Sequence, residues 1–204
     1  MTETQDGATP PAGPGRPRRD RQALLDAAAA VFVRSGVDAP VREIATEGGV
    51  GVGTIYRHFP TRAELVVAVF RHQVEACAEA GPRLLEESAS AEEALREWIS
   101  LFVEFLVTKH GLAAVLHGDS AGSDALHTSF VDRLVPVCGA LLDAARADVG
   151  PVGGGSAGAE SAVGGYGLLR GVGNLCIGAA GDARYDAREL VGALVTGVLV
   201  GVPR

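Results

Sequence analysis

Hydroxyl, phenol, guanidinium and imidazole groups crowd together at Thr54, Tyr56, Arg57 and His58, in the segment Gly53-Thr-Ile-Tyr-Arg-His-Phe59. On a helix, Ile55 and Phe59 share one face four residues apart, which turns Gly53, Thr54, Tyr56, Arg57 and His58 outward or sideways. A face of that composition suits phosphate oxygens and base edges. The chemistry on offer is recognition of nucleic acid. The chain has no P-loop, no G-x-S-x-G, no cofactor fingerprint and no nucleophile with its base, so an enzyme is not expected and no cofactor is implied.

Such a helix must be held by its neighbours, and the flanking residues read as its frame. Pro40 suits a first helical position, because its missing N–H would be orphaned there, and Val41, Ile44 and Ala45 follow at helical spacing. Gly48-Gly49 ends that short helix; Gly49 takes the positive φ of a tight helix-to-helix turn, and Val50 plugs between the two helices. The second helix runs from Gly51 to about His58 and stops at Pro60. Thr61-Arg-Ala-Glu64 is a capping box that opens a third helix. Upstream, a helix over about 21–35 places Leu24, Ala28, Val31 and Phe32 on one stripe and ends at Gly36, closing a three-helix core with Ile44, Val50, Ile55 and Phe59.

With V-R-E-I-A, G-V, G-T-I-Y-R-H-F and T-R-A-E-L at this spacing, after a helix ending V-F-V-R-S-G-V, residues 20–70 strongly resemble the DNA-binding domain of the tetracycline-repressor (TetR) family. The resemblance implies that the Thr54, Tyr56 and His58 positions touch the operator. It implies too that Arg42 opens the preceding helix and that Arg62 begins the helix leading out of the domain. The expected DNA-binding set is Arg42, Val52, Gly53, Thr54, Tyr56, Arg57, His58 and Arg62, with Arg42 and Thr54 near base edges and Tyr56, His58 and Arg62 mainly on phosphates. Two positions depart from the pattern. Gly51 stands where the family commonly has Ser or Thr, and Val52 often replaces a polar residue. Glycine caps slightly less well, and Val52 can touch a thymine methyl but bonds no phosphate.

The net charge of −7 would argue against nucleic acid if it were uniform, but residues 16–62 carry eight arginines against five acids, while residues 63–204 carry ten bases against eighteen acids. The basic charge sits where the motif sits. Residues 1–15, rich in Pro, Gly and Thr, read as a disordered tail. Residues 1–19 together form a disordered basic arm, in which Arg16, Arg18 and Arg19 either reach phosphates or a minor groove, or merely add solubilising charge. Cys77, Cys138 and Cys176 are scattered without metal-like pairing, as in a reducing cytoplasm. The start of the chain lacks the apolar core of a signal peptide, and the run from Leu190 to Val202 is too short to cross a bilayer, so a cytoplasmic protein with no membrane partner is expected.

Residues 65–204 read as a larger helical ligand-binding and dimerisation domain, beside a DNA-binding domain over 20–64. A helix from Arg62 ends near Ala80 at Gly81-Pro82 and links the two. A second capping box at Ser90-Glu93 opens a helix with the stripe Leu95, Trp98, Ile99, Phe102, Phe105 and Leu106. A short helix from Leu112 to about His117 follows, then a long one from Asp124 to about Asp148 that Pro136 should kink. Gly150–Gly158 reads as a loop. Two helices finish the chain, over about 159–180 and from Asp186. Both are apolar on more than one face, and Leu168, Val172, Leu175, Leu190, Leu194 and Val198 read as a two-fold dimer interface; an interior pair within one subunit is the plainer alternative.

Two polar groups invite chemistry in this half. His110, His117, Asp119, Asp124 and His127 match no metal-site spacing and read better as polar residues at a helix junction. Tyr166, Arg170 and Asn174 recur every four residues and either edge a cavity or satisfy groups across the dimer seam. With Trp98, Phe102, Phe105 and Phe130 as aromatic walls, they make a candidate ligand pocket. The expected protein is all-α with about nine helices, three in the first domain and six in the second. It binds palindromic double-stranded operator DNA as a homodimer and answers to a small-molecule effector, most simply as a repressor. The alternative is a helical ligand-binding or scaffolding protein whose DNA-binding domain is degenerate.

Overall fold

The computed structural model describes residues 16–116, 120–149, 163–177 and 184–200. Among these the chain forms eight helices and no strand: α1 Arg16–Ser35, α2 Val41–Glu47, α3 Val52–His58, α4 Arg62–Glu87, α5 Ala91–Leu116, α6 Ser120–Val149, α7 Gly165–Cys176 and α8 Ala187–Val200. The expected tail over 1–15 and the glycine-rich loop over 150–158 lie outside the described residues, as do His117 and Asp119.

The head of the molecule forms much as its sequence dictates. Pro40 sits one residue outside α2 as its N-cap, with φ −57° and ψ 137°. The turn after α2 uses Gly49 at φ +61°, a left-handed conformation that a side chain resists. Val50 donates to the Ala45 carbonyl at 3.0 Å, which sets its half-buried side chain against the core. Thr61 caps α4, accepting from the Glu64 amide at 3.2 Å. α2 and α3 have seven residues each and no side-chain cap bond, too short to persist alone. Ile44, Ala45, Ile55 and Phe59 hold them by packing into one core with Phe32, Val66 and Val69.

Eight helices are described where about nine were expected, because one expected helix is continuous with its neighbour, and a second helix runs longer than expected. Gly81-Pro82 does not stop α4, which runs on to Glu87. Gly81 is buried against α6, where an added Cβ would collide with Val137, and the helix continues through the exposed Pro82 even though a proline there gives up its own N–H and crowds the carbonyl four residues back. The separate helix expected from Leu112 is simply the end of α5. At the other end of the chain, α1 begins at Arg16 rather than Arg21, so Arg16, Arg18 and Arg19 belong to a helix and not to an irregular arm; Pro17 suits a first turn. α7 starts at Gly165 and ends at Cys176, shorter at both ends than its apolar pattern suggested.

The body is built on α4, α5 and α6. Trp98, the only tryptophan, is fully buried and donates its indole N–H to the Cys77 carbonyl of α4 at 2.7 Å. Its ring stacks on Phe102, centroids 6.0 Å apart and 1° from parallel, and Phe102, Phe105 and Phe130 continue the cluster. Ser90 accepts from the Glu93 amide at 3.1 Å, while the Glu93 carboxylate reaches the Ala89 amide at 3.0 Å. Asp186 caps α8, accepting from the Arg188 and Glu189 amides. Arg146 on α6 donates to the Val163 carbonyl before α7 at 2.8 Å, and Arg96 on α5 donates to Thr196 of α8 at 3.0 Å. No described helix is long and apolar enough to cross a membrane.

Candidate nucleic-acid interface and ligand cavity

α3 buries Ile55 alone among its seven residues, and Phe59 just beyond it is buried too. That anchoring leaves Gly53, Tyr56, Arg57 and His58 exposed and Thr54 half-buried at the edge. Tyr56 is 49 % exposed and Val52 39 %. Arg42 at the start of α2 is exposed as well. Among the described residues no carboxylate pairs with Arg42 or Arg57. α2 and α3 thus present one cluster of unpaired donors, free to meet phosphates and base edges.

Arg62 does not join that cluster. Its guanidinium turns inward, donates to the Val37 carbonyl and lies over the Phe32 ring at 5.1 Å. Burial draws its pKa below the ordinary value, with Asp38 and Tyr56 acting in the opposite sense. The side chain thus links the α1–α2 connection to the start of α4. Sequence spacing places Arg62 on a helix start but cannot say that Val37 and Phe32 wait beneath it.

A further polar set joins α1 to α4. His72 is wedged between Gln22, with Nδ1 2.8 Å from the amide nitrogen, and Asp26, with Nε2 2.6 Å from the carboxylate. Only 9 % of its side chain is exposed, and its partners lie some 50 residues away and give no local signal in the sequence. Beside it an open cleft of about 800 Å³ runs along α1, the end of α3 and α4, lined by both signs of charge including Arg21, Glu64, Arg71 and Glu79, with His58 at its wall. Arg133 of α6 pairs with Glu75 of α4, and that bond holds the Glu75 carboxyl below its usual range.

A smaller cavity of about 220 Å³ lies among α5, α6 and α7. Phe102, Phe130, Tyr166, Arg170 and Asn174 line it as the sequence suggested. Trp98 and Phe105 do not: they are buried one layer behind, stacked on Phe102 and Phe130. Leu106, Val135, Leu169 and Ile177 complete the apolar lining, and His127, of the sequence cluster first weighed for a metal, faces the cavity with its ring stacked on Phe130 at 5.8 Å.

Of the six residues expected at a dimer seam, Leu168, Val172 and Val198 are buried inside a single chain, and Leu175 and Leu194 are half-buried against the same core. Leu190 is exposed, and Ile177 and Val200 are exposed apolar residues on or beside the same helices. On a helix that is apolar all round, periodicity cannot tell the face that meets its own core from the face left outside.

Residues 24–69 match the family model described as bacterial regulatory proteins of the tetR family. Over 93 residues the chain is 31 % identical to the fatty acid metabolism regulator protein of Bacillus subtilis, covering 45 % of this chain and 48 % of that one. Over 112 residues it is 32 % identical to the HTH-type transcriptional activator FasR of Mycolicibacterium smegmatis, covering 52 % and 51 %. The chain thus spans about half the length of the curated relatives it matches. The crystal structure of a TetR transcriptional regulator from Streptomyces coelicolor superposes with a TM-score of 0.69 at 31 % identity, covering 87 % of this chain and 97 % of that one. With the matching head, the shared helical body and near-complete coverage of that structure, the chain belongs to the TetR family of transcriptional regulators.

Proposed function

We propose that this regulator is a ligand-responsive repressor that binds a palindromic operator as a homodimer and blocks transcription by occupying it. The observation that carries the reading is the outward cluster of Arg42, Thr54, Tyr56, Arg57 and His58, donors without internal partners on two short helices gripped from behind. Arg42 and Thr54 read base edges; Tyr56, Arg57 and His58 hold phosphates; Val52 and Gly53 set how closely α3 enters the groove. Arg62 supports them from beneath. Residues 20–64 form the DNA-reading unit and residues 65–204 the effector and dimer unit, working on DNA in the cytoplasm.

Two-fold operators require two heads at fixed spacing, and the outer faces of α7 and α8 carry the apolar groups that a partner copy would cover, Leu190 and Val200 among them. A small apolar effector enters the cavity beside α7 and favours a head spacing that DNA does not fit. To move a 1:99 balance to 99:1 it must prefer that state by roughly 10⁴-fold. A mobility-shift titration against the protein's own promoter region, repeated over a salt series, tests the DNA reading: a steep salt slope and a saturable shift are expected, and salt-insensitive or absent binding would leave a degenerate head on a ligand-binding body. A promoter fusion in cells lacking the protein then separates repression, in which expression rises, from activation, the action named for the M. smegmatis relative.

A further inference from the structure

The cavity among α5, α6 and α7 is chemically lopsided. Its floor is apolar, with Phe102 and Leu106 from α5, Phe130 from α6 and Leu169 from α7. Its polar lining is exposed, with Tyr166, Arg170 and Asn174 one turn apart along α7 and His127 contributed by α6. Among the described residues no carboxylate lines it, and Arg170 supplies the fixed charge of their lining. Among the described residues no acid lies within ion-pair distance of Arg170.

From this juxtaposition we infer that the effector is a monoanionic amphiphile, a carboxylate on a compact aliphatic or aromatic body, with the head on Arg170 and Asn174 and the body on the aromatic floor. The inference rests on the ligand-responsive reading above and narrows it. Guanidinium meets carboxylate through two parallel N–H···O bonds, and the Asn174 amide adds a donor beside it. An amine head would face the guanidinium with like charge, and a neutral chain would leave these donors with water alone. The floor takes a body of limited size, since about 220 Å³ falls below the roughly 300–1,000 Å³ of sites for drug-sized ligands.

Three probes of matched chain length separate head from body: octanoate, octanol and octylamine, added to the full-length protein. Trp98 reports from within, because it is the only tryptophan and stacks on Phe102 in the cavity wall. Octanoate is expected to shift Trp98 emission and to bind about tenfold or more tightly than either other probe, as charge-assisted bonds allow. Arg170→Gln should erase that preference, Arg170→Lys should restore part of it, and Asn174→Leu should weaken octanoate without changing the order of the probes. Equal binding of octanol and octanoate, both releasing operator DNA, would overturn the head-group assignment and leave the ligand-responsive reading standing. Failure of any probe to move Trp98 or the melting temperature would overturn the assignment of this cavity, while DNA binding is judged separately by the mobility shift. If Arg170→Gln sediments as a monomer where the parent is a dimer, Arg170 is a seam residue and the inference falls.

Discussion

α3 and α5 solve opposite problems with similar chemistry. α3 has seven residues, buries Ile55 and offers the rest outward. α5 has 26 residues and turns Leu95, Trp98, Ile99, Phe102, Phe105 and Leu106 into a stacked interior. Two aromatic side chains make the contrast sharp: Tyr56 is half exposed with its hydroxyl free for a partner, while Trp98 is fully buried with its N–H already bonded to Cys77. A reading surface can be thin because the DNA supplies the other half of its contacts, whereas a body that must hold its own shape has to satisfy each polar group internally. Damage to the two regions should therefore be felt in different measurements.

The largest effect is expected in the body. Trp98→Ala should cost about 3–5 kcal/mol of stability, from the lost aromatic volume and the unpaired Cys77 carbonyl, read as a lower urea midpoint at fixed protein concentration. A loss under about 1 kcal/mol would mean that α5 is not the spine of the body. Tyr56→Ala and Arg42→Ala should do the reverse, leaving the urea midpoint nearly unchanged while weakening operator binding by about 1–3 kcal/mol, with Arg42→Ala also relaxing base preference. If either destabilised the fold instead, the outward cluster would be structural.

Arg62 lies at the junction and sharpens the comparison. Bonded to Val37 and laid over Phe32, it should behave as a body residue in the head: Arg62→Ala should lower stability by about 1–3 kcal/mol and leave the salt slope of DNA binding unchanged. A slope reduced by about one unit without loss of stability would return it to the phosphate contacts. The smallest effect concerns the thiols. Burial pushes Cys77 and Cys138 up to about 12, while Cys176 is raised less and is partly exposed. Because thiolate is the reactive form, alkylation at pH 8 should modify Cys176 first, with Cys77 and Cys138 following only on unfolding; equal rates would show that the body opens readily.

How much of this was legible in the sequence differs by region for a physical reason. The head is specified locally: Gly49, Val50, Ile55, Phe59 and Thr61 act on neighbours within a few residues, so their spacing already states the turn, the plug, the buried face and the cap. The aromatic stripe of α5 was legible on the same grounds. Contacts made across the chain were not. Nothing near Arg62 points to Val37, nothing near His72 points to Asp26, and Gly81-Pro82 read as a stop because its Val137 partner sits on another helix. The cavity was half legible, since Tyr166, Arg170 and Asn174 repeat along α7, but Trp98 and Phe105 fell one layer too deep. That depth is set by how α5 rolls against α6, which periodicity leaves free.

The crossing of α4 and α6 at Gly81 has a mechanical consequence. With no side chain to hold the helices apart, α4 and α6 meet closely here, and a tilt of α4 about this crossing would use it as a fulcrum. Cys77, bonded to Trp98 and through it stacked on the cavity wall, lies four residues away along a short arm of about 6 Å, whereas Arg62 at the head lies 19 residues away along a long arm of about 28 Å. A rigid rod pivoted there has a gain near five, so a displacement of about 0.5 Å at Cys77 becomes about 2.5 Å at the head. In the dimer proposed above, a shift of that indole would then be felt at both heads, against the fixed pitch of DNA.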